Sequence, residues 1–149
     1  MDGNYGFQKI INFMLLTPRK TKYKKAQKGS LPNKILSNSE NINYGNYAFK
    51  SKNFGLLTNK QIEAARRVIM KKIKKQGKLW VRIFTHTPKT KKPIEVRMGK
   101  GKGSVDSWIV KIKPGTILYE IDGISLKLAQ ELFKESSQKL PLKLKLICY

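Results

Sequence analysis

The sequence has little negative charge. Its 149 residues include only 9 Asp and Glu against 32 Lys and Arg, which leaves a formal net charge of +23 at pH 7. A chain this basic repels itself unless an anion neutralises it. Because each Lys or Arg that meets a phosphate releases condensed counterions, the imbalance favours a nucleic acid as the partner.

The sequence also lacks the residues of several common sites. A single cysteine, Cys148, excludes an internal disulfide, and with one histidine, His86, it excludes the usual zinc sites. We expect Cys148 to pack as a small hydrophobic residue and His86 to lie in a loop near a turn. No nucleophile motif accompanies His86, and the carboxylates of Asp106, Glu120 and Asp122 are scattered. We therefore predict that the chain is not an enzyme and has no cofactor or metal site.

Long apolar runs are absent too. A membrane-spanning helix needs roughly 18 apolar residues in succession. The pairs Ile10-Ile11 and Leu15-Leu16 lie in a stretch that also contains Lys9, Asn12 and Thr17. We expect no membrane anchor and no secretory signal, so a membrane surface is the weaker explanation of the charge.

The length suits one folded domain with tails. Residues 1–13 carry few charges and are interpreted as an N-terminal extension. Residues 14–56 form a basic tail and loop segment, in which 17–34 contain no acidic residue. Near its end, Tyr47-Ala48-Phe49 is predicted to be a short edge strand. Residues 57–149 are predicted to form the globular α+β domain.

Two helices are predicted in that domain. Thr58 and Gln61 match a capping box, which starts a helix that extends to about Gly77. Ser125 caps a second helix that ends before Pro141. Apolar or small residues at spacings of three and four give each helix one buried face. These residues are Ile62, Ala65, Ile69 and Ile73 in the first helix, and Ala129, Leu132, Phe133 and Ser136 in the second.

Strand-like segments account for most of the remaining domain. In the last of them, leucines 142, 144 and 146 alternate with lysines 143 and 145, which is typical of a strand with one buried and one solvated face. We therefore predict an α+β fold with an antiparallel or mixed sheet, two helices packed on it and an extended basic N-terminal tail. The predicted strands are residues 79–84, 94–98, 105–112, 116–121 and 142–147.

The run from Arg97 to Gly103 is the most unusual local sequence. Its three alternate glycines permit positive φ, so that backbone amides and two lysines can approach a phosphate or a ribose closely. Neither G-x-x-x-x-G-K-S/T nor G-x-G-x-x-G is matched, and the run leads into a strand rather than a helix. We predict a nucleic-acid-binding loop, with a plain flexible hairpin and a nucleotide pocket as the alternatives.

Three aromatic residues are candidates for stacking on bases. Trp80 and Trp108 each lie in an apolar strand, so we expect core packing rather than base stacking for both. Tyr23 lies among the lysines of the tail and is the better candidate for contact with RNA.

Three blocks in order resemble the large-subunit ribosomal protein L-sixteen family of bacteria and organelles. The first is Pro18 to Lys25 followed by Lys28-Gly29, and the second is Leu57-Thr58 followed by Gln61 to Arg67. The third is Arg97 to Gly103, which leads to Trp108. Shorter matches between and after these blocks extend the resemblance over about residues 14 to 147.

The resemblance implies a structural constituent of the large ribosomal subunit that binds rRNA and helps to shape the aminoacyl-tRNA (A) site. Large-subunit rRNA, A-site tRNA and neighbouring large-subunit proteins are the partners that it implies. A non-ribosomal nucleic-acid-binding protein or RNA chaperone is the alternative. Carried over by position, the rRNA- and tRNA-binding residues are Arg19, Lys20, Lys22, Tyr23, Lys24, Lys25, Lys28, Arg66, Arg67, Arg82, Arg97, Gly99, Lys100, Gly101, Lys102 and Gly103.

The chain departs from the family pattern at two places. Ser30-Leu31-Pro32 replaces a usually basic stretch, and Leu56 stands where an Arg usually precedes Leu57-Thr58. We expect different rRNA contacts at these points. The excess of Lys over Arg and the frequent Asn and Ile indicate an AT-rich genome. We therefore expect a mitochondrial ribosome, with a plastid or a bacterial cytoplasm as the alternatives.

Overall fold

A computed structural model describes residues 17–27, 29, 41–74 and 76–149. The proposed N-terminal extension, Lys28 and the Ser30-Leu31-Pro32 departure lie outside the described residues. Within the described ranges the chain forms seven strands and two helices. In chain order they are β1 Tyr47–Ser51, β2 Gly55–Thr58, α1 Asn59–Ile73, β3 Lys78–Val81, β4 Thr87–Lys91, β5 Ser104–Ile112, β6 Ile117–Asp122, α2 Leu126–Ser137 and β7 Leu144–Cys148.

The strands form two antiparallel sheets. One has four strands in the order β3-β6-β1-β7, and the other has three in the order β2-β5-β4. The two helices contact each other, and α1 also contacts strands of both sheets. The predicted α+β class with two helices is confirmed, although the strands divide between two sheets.

Helix α1 begins as its sequence predicts. The backbone N–H of Gln61 donates to Thr58 Oγ1 at 3.4 Å, and the Thr58 N–H donates to Gln61 Oε1 at 3.0 Å. All four residues of the predicted apolar face are fully buried. The helix ends at Ile73, before the predicted Gly77, because the chain turns at Lys74 with a φ of 54°. Gly77 instead passes so close to β6 that a Cβ there would lie 2.5 Å from the Asp122 carbonyl oxygen.

Helix α2 also follows its prediction. Ser125 accepts a hydrogen bond from the Leu128 N–H at 3.5 Å and forms the N-cap. Ala129, Leu132 and Ser136 are fully buried. Phe133 packs edge-on against Phe49 of β1, with the ring centroids 5.4 Å apart. The helix therefore covers the four-stranded sheet with the stripe of residues that its spacing predicts.

The prediction of a strand at 94–98 is wrong. Ile94 and Met98 are 96% and 98% exposed and lie in the loop between β4 and β5. The strand that pairs with β5 on this side is β4, at Thr87–Lys91. Its sequence has low strand propensity and contains Pro88, which is tolerated because β4 is an edge strand. Pairing with the long strand β5 therefore outweighs the local alternation.

The segment before residue 57 contributes to the core. Tyr47–Ser51 lies between β6 and β7 and is not an edge strand, and its Ala48 and Phe49 are fully buried. Strand β1 therefore belongs to the folded core although it precedes residue 57.

The end of the chain follows its predicted alternation with one exception. Leu142, Leu144 and Leu146 pack on the core, while the lysines between them are exposed. Cys148 is exposed, so the expectation that it packs as a hydrophobic residue is wrong. His86 lies in the loop between β3 and β4, as predicted.

Candidate nucleic-acid interface

The structure brings the basic tail and the glycine-rich loop together. The Lys25 Nζ donates to the carbonyl oxygen of Lys102 at 2.8 Å, and the Lys102 Nζ donates to the carbonyl oxygen of Ala26 at 2.6 Å. These reciprocal contacts join segments that are 76 and 77 residues apart in sequence. We call residues 17–27 together with 97–103 the tail–loop surface.

The cations of this surface face solvent. Every residue from Arg19 to Ala26 is exposed, and so are Arg97, Lys100 and Lys102. Within the described ranges, no carboxylate lies within ion-pair distance of these side chains. Tyr23 is 71% exposed, and the Lys22 Nζ lies 5.5 Å from its ring centroid. The structure thus brings Lys25, of the predicted tail residues, into direct contact with Lys102 of the loop, while Lys28 lies outside the described residues.

The three loop glycines are needed for two different reasons. Gly99 and Gly101 have φ values of 100° and 86°, and a Cβ at either position would meet nothing within 4 Å. Between them Lys100 also takes a positive φ, of 51°. Conformation, rather than space, therefore demands glycine at the tip. At Gly103 a Cβ would lie 2.5 Å from the Lys91 carbonyl oxygen, so close approach to β4 excludes a side chain.

A groove separates the tail from the three-stranded sheet. Ala26, Pro88 and Ile109 supply apolar surface, and Lys102 contributes a cation. Leu56, where the sequence analysis expects a departure from the family pattern, also lines the groove and adds to its apolar surface.

Arg66, Arg67 and Arg82 are the predicted binding arginines outside the tail–loop surface. The first two share one carboxylate. Arg66 donates two hydrogen bonds to Glu63, from Nε to Oε2 at 2.7 Å and from Nη2 to Oε1 at 2.8 Å. Arg67 Nε donates to Glu63 Oε1 at 3.0 Å. Both pairs have the helical spacings, i,i+3 for Arg66 and i,i+4 for Arg67, at which side chains on one helix meet. The side chain of Arg67 is 60% exposed and that of Arg66 only 19%.

The cluster of Glu63, Arg66 and Arg67 is expected to contribute to stability in a pH-dependent way. The hydrogen bond from Arg66, opposed by burial, holds the pKa of Glu63 below its ordinary value of 4.5. A lowered carboxyl pKa stabilises the fold above the unfolded-state pKa, and that contribution is lost as the pH falls through the folded-state pKa. Glu63→Gln is therefore expected to lower the free energy of unfolding by about 1 to 2 kcal/mol at pH 7. In urea denaturation, the difference in the free energy of unfolding between Glu63→Gln and wild type should become smaller below pH 4.5. A difference that does not change with pH would contradict this assignment.

The third arginine neutralises a buried carboxylate. Glu120 is fully buried in β6, and Arg82 Nη1 forms an ion pair with its Oε1. The backbone N–H of Tyr44 donates to Glu120 Oε2 at 2.7 Å, and the N–H of Asn43 lies 3.3 Å from the same oxygen. The Arg82 side chain is 23% exposed. Much of its guanidinium is therefore committed to the fold, which sequence analysis did not reveal.

The expectation that both tryptophans belong to the core is wrong. Trp80 and Trp108 are only partly buried. Leu79 and Val81 turn towards the core, so the intervening Trp80 faces the other side of β3. There it stacks on Tyr44, with the ring centroids 6.0 Å apart and the planes inclined by 21°.

One lysine of α1 is neutralised by the second helix. The Lys72 Nζ donates to Glu131 Oε1 and to Glu135 Oε1, each at 2.6 Å. The hydrogen bond to Glu131 is the main cause of the raised pKa of Lys72. The carboxylates that neutralise this lysine of α1 therefore come from α2.

Metal-ligand clusters and membrane-spanning helices are two further features to consider in the part of the chain that the structure describes. No three His, Cys, Asp or Glu side chains lie close enough there to hold a metal ion. None of its helices combines the length and the apolar character needed to cross a membrane.

Comparison with known proteins places this surface in context. A family model described as ribosomal protein L16p/L10e matches residues 18–147. The large ribosomal subunit protein uL16 of Blochmanniella pennsylvanica is 51% identical over 134 residues, which cover 90% of this chain and 98% of that protein. The uL16 protein of Buchnera aphidicola subsp. Cinara cedri is 50% identical over 129 residues, 87% of this chain and 93% of its own length. That of Wigglesworthia glossinidia brevipalpis is 50% identical over 128 residues, 86% of this chain and 93% of its own.

Proposed function

Since this chain belongs to the ribosomal protein L16p/L10e family, we propose that it binds large-subunit rRNA through the tail–loop surface and helps to shape the A site. Membership confirms the resemblance that the three sequence blocks indicate. It also makes the chain a structural constituent of the large ribosomal subunit and not an enzyme. Binding of rRNA and of tRNA by named residues is the part that we propose.

The reciprocal contact of Lys25 and Lys102 carries the proposal. It holds two cationic segments side by side, although like charges at this distance repel each other. A polyanion that lies along both segments would remove that repulsion and release its own counterions. The phosphate backbone of rRNA has the required charge and length.

The two parts of the surface suit different contacts. The tail presents closely spaced, exposed lysines along a segment outside any helix or strand, which suits successive phosphates of rRNA. The loop presents Lys100 at a tip that also exposes Met98. Such a tip can reach past the rRNA contacts of the tail, and we assign to it the approach to A-site tRNA.

The three arginines divide by their exposure. Arg67 keeps 60% of its side chain exposed, so we propose it as the phosphate-binding arginine of α1. Arg66 and Arg82 are largely engaged by Glu63 and Glu120. We propose that these two mainly position neighbouring groups.

The compartment of the ribosome stays a prediction. The relatives described above are bacterial, which fits a bacterial cytoplasm. The mitochondrial assignment rests only on the bias towards Lys, Asn and Ile. Fractionation of the host cell, with the chain detected by antibody, would decide between them.

Cross-linking on assembled subunits tests the proposed contacts. We expect the chain to sediment with large subunits and, after ultraviolet irradiation, to carry rRNA adducts on peptides within 17–27 and 97–103. With tRNA in the A site, tRNA adducts are expected on the loop peptide. Peptides of α2, which packs against α1 and β7 and lies outside the tail–loop surface, serve as the internal control. Recovery of the chain only in free or DNA-bound fractions would favour a non-ribosomal RNA chaperone, and adducts confined to other peptides would reject the tail–loop surface.

A further inference from the structure

We propose that Tyr44, Trp80 and Arg82 form a preorganised platform on which an unpaired base of the bound RNA stacks. The inference rests on the proposed RNA binding and adds to it a base-contacting site away from the tail–loop surface. We call these three residues the Tyr44 platform. Their sequence positions give no sign of the site, because Tyr44 precedes β1 whereas Trp80 and Arg82 belong to the region of β3.

Two side chains from the region of β3 contact the ring of Tyr44. Trp80 stacks on it at 6.0 Å between centroids, and Arg82 Cζ lies 5.2 Å from the Tyr44 centroid. Trp80 and Arg82 are two residues apart, and the Arg82 N–H still bonds to the Leu118 carbonyl of β6 at 3.0 Å, so strand geometry continues through Arg82. Residues two apart in a strand project to the same side. Both side chains therefore reach Tyr44 from the same side of β3.

Tyr44 is mostly open to solvent. The residue is 58% exposed although two side chains already cover part of it. An aromatic face of this kind stacks on any base, because every base has a π-face. The guanidinium of Arg82 lies beside the same ring and is 23% exposed, and the exposed Lys78 begins β3. These cations suit the phosphates on either side of a stacked base.

The platform is held in place before any ligand arrives. The Tyr44 N–H donates to the buried carboxylate of Glu120 at 2.7 Å. The next residue, Gly45, lies so close to β6 that a Cβ there would be 2.6 Å from the Ile121 carbonyl oxygen. Asn46 then accepts a backbone hydrogen bond from Tyr149 at 2.9 Å. Because these contacts order the backbone on both sides of the ring, binding of a base costs little additional conformational entropy.

A nucleobase is the occupant that the charge favours. The net charge of +23 repels a basic partner and attracts polyanions. An apolar side chain of a neighbouring protein would cover the ring, but it would leave the flanking Lys78 without a counter-charge. An unpaired base in RNA satisfies both requirements, since its ring stacks and its phosphates meet Lys78 and Arg82.

Binding of two RNA octamers to the full chain tests the platform. One is an adenosine octamer, and the other has the same phosphates but abasic riboses. We expect wild type to bind the adenosine octamer about tenfold more tightly, and Tyr44→Ala to lose this preference. Tyr44→Phe should keep it, because the stacking ring remains. Phe54→Ala removes another exposed aromatic side chain, 48% exposed between β1 and β2, and should leave the preference unchanged.

The outcomes separate the platform from the proposed function. If neither octamer nor large-subunit rRNA shows salt-dependent binding, the proposed RNA binding itself fails. If wild type binds rRNA but does not distinguish the two octamers, or if Tyr44→Ala still distinguishes them, the platform is overturned. A Tyr44→Ala variant that assembles poorly while its base preference is intact would assign the surface to a neighbouring protein, which also overturns it.

A second measurement keeps the test decisive if Tyr44→Ala is unstable. An octamer containing one 4-thiouridine is cross-linked to the wild-type chain at long wavelength. We expect the adduct on the peptide containing Tyr44 or on the peptide containing Trp80. Adducts found only on the tail–loop surface would overturn the platform while leaving the proposed function standing.

Discussion

Neutralising the tail–loop surface is expected to reduce the affinity for large-subunit rRNA by about a thousandfold or more at 0.1 M salt. The variant replaces with glutamine Lys20, Lys22, Lys24, Lys25, Lys100 and Lys102. Each lost phosphate contact lowers the slope of log K against log salt by about 0.7 to 0.9, so loss of all these contacts should lower it by about 4 to 5. Filter binding or fluorescence anisotropy over a range of salt concentrations measures both quantities.

The chain offers a matched control for this variant. Six other exposed lysines lie around α2 and β7 and near the end of β1, away from the tail–loop surface. Their replacement by glutamine removes the same charge from the molecule, so a purely long-range effect would be the same in both variants. Equal losses of affinity would therefore contradict a localised surface. The control lysines are Lys52, Lys127, Lys134, Lys139, Lys143 and Lys145.

The second large effect concerns stability. Arg82→Met would leave the fully buried carboxylate of Glu120 without its guanidinium. Removal of one partner of a buried ion pair costs about 3 to 5 kcal/mol, because an uncompensated charge stays in the interior. We therefore expect the free energy of unfolding in urea to fall by about that amount at pH 7.

Two further variants test the cause of this loss. Arg67→Met removes an arginine whose side chain is 60% exposed, and it should cost less than about 1 kcal/mol. Adding Glu120→Leu to Arg82→Met removes the stranded charge and should recover part of the stability. The recovery stays incomplete, since the Tyr44 N–H then loses its acceptor. If Arg82→Met and Arg67→Met lowered the free energy of unfolding by equally small amounts, the ion pair of Arg82 and Glu120 would have no structural importance.

Much of the helical structure could be predicted because its signals are local. Thr58 and Gln61 lie three residues apart, and the bonds they form depend on little else in the fold. The buried stripes of both helices likewise follow from residue spacing within one helix. The end of α1 was less predictable, because it depends on the approach of Gly77 to β6.

The strands show where local pattern is insufficient. Apolar and polar residues alternate over 94–98 as in a strand, yet this segment pairs with no strand of the described part of the chain. Thr87–Lys91 instead pairs with β5. Trp80 appeared to be a core residue because its neighbours are apolar. Its outward orientation depends on which side of β3 the helices cover, and that information lies elsewhere in the chain.

The candidate site was predictable in composition but not in arrangement. The lysines of the tail and the glycines of the loop stand out in the sequence, yet the contact between Lys25 and Lys102 spans 77 residues. Glu120 appeared to be one of several scattered carboxylates. Its burial, which joins Arg82 to the segment at Tyr44, depends on the packing of strands that are distant in sequence.

With RNA bound at the tail–loop surface as proposed, the mutual hydrogen bonds of Lys25 and Lys102 would make its capture by the tail and by the loop cooperative. Each lysine donates to the backbone of the other segment, so an RNA strand that orders one segment also places the other beside it. The second capture is then intramolecular, and its effective concentration far exceeds that of free RNA in solution. Tail and loop would therefore engage and release their nucleic acid as one unit.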